Sequence, residues 1–123
     1  MENVTSRQPV GNLKISKDVI ATIARVATLE IEGVDSLAEM TADIKGIFSR
    51  SIIKKAIHIT MSDDFASIDI GVNLKFGAKI TEVCTAIQNN VKDNVQTMTG
   101  MAVAKVNVVV AGIVFPDEAP LEF

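Results

Sequence analysis

The sequence predicts an α+β fold, a two-layer sandwich in which two main helices cover one face of a mostly antiparallel sheet. Three observations lead to this prediction. Two segments carry apolar residues at helical spacing, one pair of segments alternates apolar and polar residues around a turn, and residues 101–115 form a long apolar run. The resulting order of strand, helix, connecting region, hairpin, helix and strand is typical of a split βαβ arrangement.

The first strand and the first helix are predicted near the start of the chain. Leu13 and Ile15 face the same way in a short strand. Ser16 then occupies a position suited to a helix N-cap, where its hydroxyl accepts a hydrogen bond from a free backbone N–H. An apolar stripe at helical spacing follows, and Gly33 is expected to end the helix. The stripe consists of Ile20, Ile23, Ala24, Ala27 and Ile31.

A β-hairpin is predicted between Ala56 and Phe76. Its first strand alternates apolar and polar residues up to Met61, and a turn at residues 62–65 follows. Its second strand has one apolar and one polar face, so one side of the hairpin should be buried and the other wet. The apolar face consists of Ile68, Ile70, Val72, Leu74 and Phe76, and the polar face of Ser67, Asp69, Gly71, Asn73 and Lys75.

The second helix and the last strand complete the predicted fold. The helix follows Gly77 and ends at Gly100, a residue type that commonly terminates helices. The last strand then runs from Met101 to Phe115. The apolar stripe of the helix is predicted to consist of Ile80, Cys84, Ile87, Val91, Val95 and Met98, backed by Val83 and Ala86.

The length and composition of the chain predict one cytoplasmic domain. With 123 residues, 48% apolar and 22% charged, the chain is long enough for one core and too short for two ordinary ones. We predict a flexible N-terminal arm at 1–11, a single domain at 12–115 and a short C-terminal tail at 116–123. No signal-like segment and no apolar run near the ~20 residues of a membrane-spanning helix is found. One Cys cannot form an intramolecular disulfide, which fits a reducing compartment.

No catalytic, cofactor-binding or metal-binding residue is predicted. A metal site needs several converging ligands, and the chain has one His, His58, and one Cys, Cys84, on different elements. Cys84 lies on an apolar stripe, where a buried and unreactive thiol is expected. Asp63 and Asp64 are neighbours in a turn, where Asp commonly bonds to backbone groups, and do not suggest a facing catalytic pair. The chain is therefore expected to bind and not to catalyse.

The first candidate site is a basic segment around residues 44–53. Residues 44–62 include four Lys or Arg residues and His58, and no Asp or Glu. On a helix, Ile44, Ile47, Phe48 and Ile52 would share an apolar face, a pattern that can lie on an anionic membrane or dock on a partner. The alternative is a short connecting helix whose apolar face caps the core. The candidate membrane or partner contacts are Lys45, Ile47, Phe48, Arg50, Lys54 and Lys55.

The second candidate site is the last strand, which is apolar on both faces from Val108 to Phe115. A strand that is apolar on both sides is usually covered on both sides, whereas the hairpin has a polar outer face. The second face should therefore meet the N-terminal arm, the C-terminal tail or another molecule, because exposed apolar patches are uncommon on monomers. The candidate self-association residues, expected to share one face, are Val109, Ile113 and Phe115.

A series of short motifs extends from Gly11 to Phe115. They are Gly11-Asn-Leu-Lys-Ile-Ser16, Glu32-Gly33-Val34, Phe76-Gly77, the stretch from Val91 to Met98-Thr99-Gly100-Met101, Val106-Asn107-Val108 and Gly112. In order and spacing they resemble the alkaline shock protein family, the envelope stress-response proteins of Gram-positive bacteria. The resemblance implies a small cytosolic protein without known catalysis, associated with cell-envelope homeostasis. Some relatives are associated with the cytoplasmic membrane through a partner.

The residues and this resemblance together predict a non-enzymatic scaffold that acts by self-association and membrane-partner binding. The expected partners are a second copy of the chain, an integral membrane protein and the membrane surface itself. The expected location is cytoplasmic, with a peripheral position at the inner face of the cell membrane. The alternative is a small α+β RNA-binding module. A net charge of -3, a pI near 5.1 and the absence of Tyr and Trp count against nucleic acid.

Overall fold

A computed structural model describes residues 11, 13–43 and 52–116 of the chain. These ranges form two helices and six strands, which confirms the predicted α+β class. The chain order is α1 (Lys17–Leu29), β1 (Val34–Leu37), β2 (Met40–Asp43), β3 (Ile52–Lys55), β4 (Ile57–Met61), β5 (Phe65–Lys75), α2 (Ile80–Thr99) and β6 (Ala102–Val114).

Helix α1 begins where its capping residue predicts. The Ser16 hydroxyl accepts a hydrogen bond from the Val19 N–H at 3.2 Å, and Asp18 places a negative charge in the first turn. The helix ends at Leu29 with Glu30 as its C-cap, so it stops before the predicted Gly33. Gly33 instead has a φ of 104° in the turn that leads into β1.

The central strand of the main sheet is β5. Strands β1 and β4 pair with it antiparallel, and β6 pairs with it in parallel along the opposite edge. β1 is in register with residues 72–74 of β5 and β4 with residues 66–70, so the two share one edge. Both edges of β5 are thereby occupied, and the strand predicted at Leu13 and Ile15 is not part of the sheet. That prediction is wrong: residues 13–16 are not in a strand, and Leu13 is 83% exposed.

The core lies between the helices and one face of the sheet, which we call the inner face. Four apolar side chains of β5 point into it and are fully buried: Ile68, Ile70, Val72 and Leu74. Burial of each such side chain contributes about 1.5–3 kcal/mol to folding. α1 packs against β1 and β4, and α2 packs against β6 and α1. The hairpin and its buried side are thus as predicted, except that Phe76, predicted on that side, lies beyond the end of β5 and is 59% exposed.

The buried stripe of α2 differs from the predicted one. Its fully or largely buried residues follow a regular spacing of four: Val83, Ile87, Val91 and Val95. Ile80 and Met98, both predicted in the stripe, are 48% and 67% exposed, and Cys84 is only partly buried. The helix is rotated because it also packs against α1: the Asn90 side chain donates hydrogen bonds to the Ala27 carbonyl at 2.8 Å and to Glu30 at 3.0 Å.

Candidate interaction surface

The face of the sheet opposite the helices, here called the outer face, is covered by the chain itself at Gly71. A Cβ atom at this position would lie 2.3 Å from the Ala38 carbonyl oxygen and 2.7 Å from the Met40 side chain. The segment between β1 and β2 therefore crosses directly over β5, a close approach that only glycine permits. His58, on the same face of β4, places Nε2 3.3 Å from the Met40 carbonyl oxygen and fixes the crossing segment.

The polar side chains of this face bond to one another within the sheet. The Asn107 amide donates to the Asp69 carboxylate at 2.7 Å, which joins β6 to β5. The Asn73 amide donates to the Ser36 hydroxyl at 3.2 Å, which joins β5 to β1. Outer-face polar groups of β5 are therefore engaged in holding neighbouring strands.

Two irregularities in β6 change which residues share a face. Ala104 and Ala111 have no partner in β5, because each is an extra residue that forms a β-bulge in β6. Between the two bulges Val109 is in register with Gly71 and lies on the outer face. Beyond Ala111 the alternation is reversed, so Ile113 is in register with Leu74, whose side chain is buried on the inner face. The expectation that Val109, Ile113 and Phe115 share one face is therefore wrong.

The three residues nevertheless lie at an end of β6 that the described residues leave open. The exposed fractions of Val109, Ile113, Val114 and Phe115 are 49%, 39%, 38% and 59%. The Phe115 ring stacks on Phe76, which is itself 59% exposed, with centroids 4.6 Å apart and planes at 20°. We call these five residues the apolar end of β6. Coverage by the predicted N-terminal arm lies outside the described residues, as does coverage by residues 117–123.

The first half of β6 has hydrogen bonds from α2 to its backbone. The Gln88 amide donates to the Val106 carbonyl at 3.0 Å, and the Gln96 side-chain oxygen accepts from the Val103 N–H at 3.1 Å. Helical geometry places Gln88 on the flank of α2 away from Asn90, and so away from α1. These side chains therefore satisfy backbone groups that an edge strand otherwise presents to solvent.

Most of the basic segment lies outside the described residues. This part contains Lys45, Ile47, Phe48 and Arg50. The last part of the segment is extended: residues 52–55 form β3, which pairs antiparallel with β2, and Ile53 is in register with Ala42. A helix that reached Ile52 is therefore excluded. Lys54 and Lys55 belong to this strand, and the Lys55 side chain is exposed.

The chemically reactive residue types are not gathered into a site within the described ranges. Cys84 is partly buried, and burial raises the pKa of its thiol, which disfavours the nucleophilic thiolate. A cleft of about 370 Å³ beside the start of α2 is lined by two acidic and two basic side chains: Glu32, Glu82, Lys75 and Lys79. Among residues 13–43 and 52–116, no group of three or more His, Cys, Asp or Glu side chains is placed to hold a metal ion.

The described helices also include none with the length and apolarity needed to cross a membrane.

Sequence reasoning missed two features of this surface. A glycine inside a strand is a known sign of close backbone approach, so Gly71 carried a usable signal. The two glutamines carried no usable signal, since Gln88 and Gln96 look like ordinary polar residues of an exposed helix face. Their role depends on where α2 lies over β6.

The chain is similar to known proteins along most of its length. Residues 5–115 match the model of the alkaline shock protein family, which is described as having a cell envelope-related function. The chain is 26% identical over 118 residues to the uncharacterised protein YqhY of Bacillus subtilis, covering 89% of this chain and 82% of that protein. It is 33% identical over 106 residues to the uncharacterised protein Spy1535 of Streptococcus pyogenes, covering 85% and 81%.

A further relative is the uncharacterised protein YloU of Bacillus subtilis, 26% identical over 114 residues, with 90% of this chain and 95% of that protein covered. No solved structure matches the chain. Because the family model spans nearly all of the α+β domain and its relatives match along most of their own length, the chain belongs to the alkaline shock protein family, a family with a cell envelope-related function.

Proposed function

We propose that this protein is a non-enzymatic scaffold of the cell envelope that acts by self-association and by binding a membrane partner. The observation that carries the proposal is the apolar end of β6. Its five side chains are each between 38% and 59% exposed among the described residues. Exposed apolar side chains grouped at one end of a strand are a feature of protein interaction sites.

The chemistry of the domain is consistent with binding. The partly buried thiol has a raised pKa, and the cleft beside α2 combines opposite charges without a Ser, Cys or His in its lining. Nucleophilic catalysis requires such a group beside a base. The family's cell envelope-related function supports a role in assembly at the envelope, and catalysis is not needed to explain it.

RNA recognition is the weaker alternative. The charged residues on the outer face of β5 and β6 are Lys75, Lys105 and Asp69, and Asp69 already bonds to Asn107. Two separated ammonium groups form a poor electrostatic footprint for a nucleic acid. A filter-binding titration with steep salt dependence would favour this alternative over the scaffold.

Self-association is tested with the double variant Val109→Lys and Ile113→Lys. The molar mass in solution is measured by light scattering over a wide range of protein concentration. We expect the wild type to exceed the 13.2 kDa of one chain and the variant to return to it, because two ammonium groups cannot be buried in an apolar contact. The matched control is Thr60→Lys, an exposed position on β4 at the other edge of the sheet. A wild type of 13.2 kDa at high concentration would contradict the proposal.

Membrane contact is tested separately through the basic segment. We expect the purified protein to sediment with vesicles that contain anionic lipid at low salt. Replacing Lys45, Arg50 and Lys54 by Gln should reduce that binding, since each basic group near an anionic surface contributes about 1 kcal/mol. Neutral vesicles are the control for the lipid. Equal sedimentation with neutral and anionic vesicles, or none with either, would remove this segment from the proposal and leave self-association untouched.

A further inference from the structure

We propose that two copies of this chain join their sheets edge to edge, with β6 antiparallel to β6 of the second copy around a two-fold axis at Val109. This pairing rests on the proposed self-association and specifies its surface, its occupant and its register. Two observations support this pairing. One is the direction in which the backbone N–H and C=O groups of β6 point, and the other is that the hydrogen bonds from α2 to β6 end at Val106.

The backbone of β5 determines which groups of β6 point away from the sheet. Gly71 uses both of its groups on the β1 and β4 side: its N–H donates to Ala56 at 2.8 Å and its C=O accepts from Ala38 at 2.9 Å. The residues on either side of Gly71 therefore face β6. In a parallel ladder, the residues before and after Gly71 form hydrogen bonds with the β6 residue that is in register with Gly71. That residue is Val109.

Because alternate residues of a strand point to opposite edges, Val108 and Val110 direct their N–H and C=O groups to the free edge of β6. Val106 points the same way, and its carbonyl already accepts the Gln88 hydrogen bond of 3.0 Å. No side chain of the described residues makes a hydrogen bond to Val108 or Val110. Among the described residues, side chains of α2 thus bond to this edge at Val103 and Val106, and none bonds to it at Val108 or Val110.

A second copy of the chain fits this edge by symmetry. Antiparallel pairing about Val109 places Val108 of each copy opposite Val110 of the other copy. Both residues direct their N–H and C=O groups outward, so the two pairs exchange hydrogen bonds as in an ordinary antiparallel ladder. The two-fold symmetry thus pairs each outward N–H of one copy with an outward C=O of the other.

The charge pattern of β6 favours the same partner. Edge strands are normally guarded against pairing by charged residues, especially Lys, or by Pro. In β6 the one charged residue is Lys105, and residues 106–115 carry none. Pairing about Val109 sets Lys105 opposite the uncharged residues that follow Ala111 in the second copy, so no like charges face each other. The two Val109 side chains, each 49% exposed in the single chain, meet on the outer face.

Cysteine cross-linking tests the register directly. In a Cys84→Ser background, Val109→Cys places two thiols at a pair without mutual hydrogen bonds, where the Cα atoms of an antiparallel ladder are about 4.5 Å apart and a disulfide forms. We expect the covalent dimer to form about tenfold faster than with Asn107→Cys, an exposed control two residues away on the same face. Equal rates for the two variants would overturn the register and the edge pairing.

Val110→Pro provides a second measurement, since it removes an N–H that points to the free edge and blocks strand addition. The expected mass falls from twice 13.2 kDa to 13.2 kDa, with circular dichroism checking that the domain remains folded. If this variant unfolds, the cross-linking rates decide alone. A dimer that survives Val110→Pro and is lost in the Val109→Lys, Ile113→Lys variant would overturn edge pairing and leave the scaffold function standing. A wild type that is monomeric at every concentration would overturn both the edge pairing and the proposed self-association.

Discussion

The sheet contains two regions that the described chain covers to very different extents. Around Gly71, which lies between Asp69 and Asn73 on the outer face of β5, the segment at Ala38 and Met40 lies directly on the sheet. At the apolar end of β6, the described residues leave Val109 and Phe115 49% and 59% exposed. Polarity alone would predict the reverse, since apolar surface gains most from being covered.

Connectivity explains the difference. β1 and β4 occupy the same edge of β5, one after the other, with the β2–β3 hairpin inserted between them. The chain must leave the sheet after β1 and return before β4, and it does so across β5 at Gly71. β6 has no such neighbour in the described chain. Coverage of the outer face is therefore decided by the path of the backbone, and the apolar end of β6 is left for other contacts.

Filling Gly71 should have the largest effect. Gly71→Ala would place a Cβ 2.3 Å from a backbone oxygen that cannot rotate away, so the crossing segment must shift. We expect the free energy of unfolding, measured by urea denaturation, to fall by about 2–4 kcal/mol. The control is Gly112→Ala on the same face, where the nearest atom is the Asn73 side-chain oxygen at 3.0 Å and can move. Equal losses for the two variants would show that the crossing does not depend on this glycine.

Removing the His58 contact should have an intermediate effect. His58→Ala deletes the hydrogen bond between Nε2 and the Met40 carbonyl, which holds the crossing segment against β4. The expected loss of unfolding free energy is about 1 kcal/mol, the usual net value of one hydrogen bond. Thr60→Ala, at an exposed position of the same strand, is the control and should change stability little. Faster amide exchange at residues 38–40 in the His58 variant would locate the loss at the crossing.

Changing the uncovered region should have the smallest effect on the single chain. Val109→Thr replaces a methyl by a hydroxyl on a side chain that is 49% exposed, so we expect less than about 0.5 kcal/mol when measured on dilute monomer. Val106→Thr, on the inner face of the same strand and 8% exposed, should cost about 1–3 kcal/mol by burying a hydroxyl. A large loss at Val109 in dilute solution would mean that part of the same chain covers it.

Local pattern predicted much of the fold. The Ser16 cap, the hairpin and the buried face of β5 are all properties of neighbouring residues, and each was confirmed. The predicted stripe of α2 was partly wrong, since Ile80 and Met98 are exposed. Periodicity indicates that a helix has an apolar side, but packing against α1 selects the rotation. The helix class was therefore predictable and its orientation was not.

The candidate site shows the same division more sharply. The sequence by itself determined that β6 carries more apolar surface than a one-sided sheet requires, because composition is a local property. Only the tertiary structure decided where that surface points, since the bulges at Ala104 and Ala111 arise from pairing with β5 and move Ile113 off the face of Val109. It also decided that the Gln88 side chain reaches the Val106 carbonyl on the free edge of β6. Strand register and side-chain reach depend on residues distant in sequence, which no local pattern records.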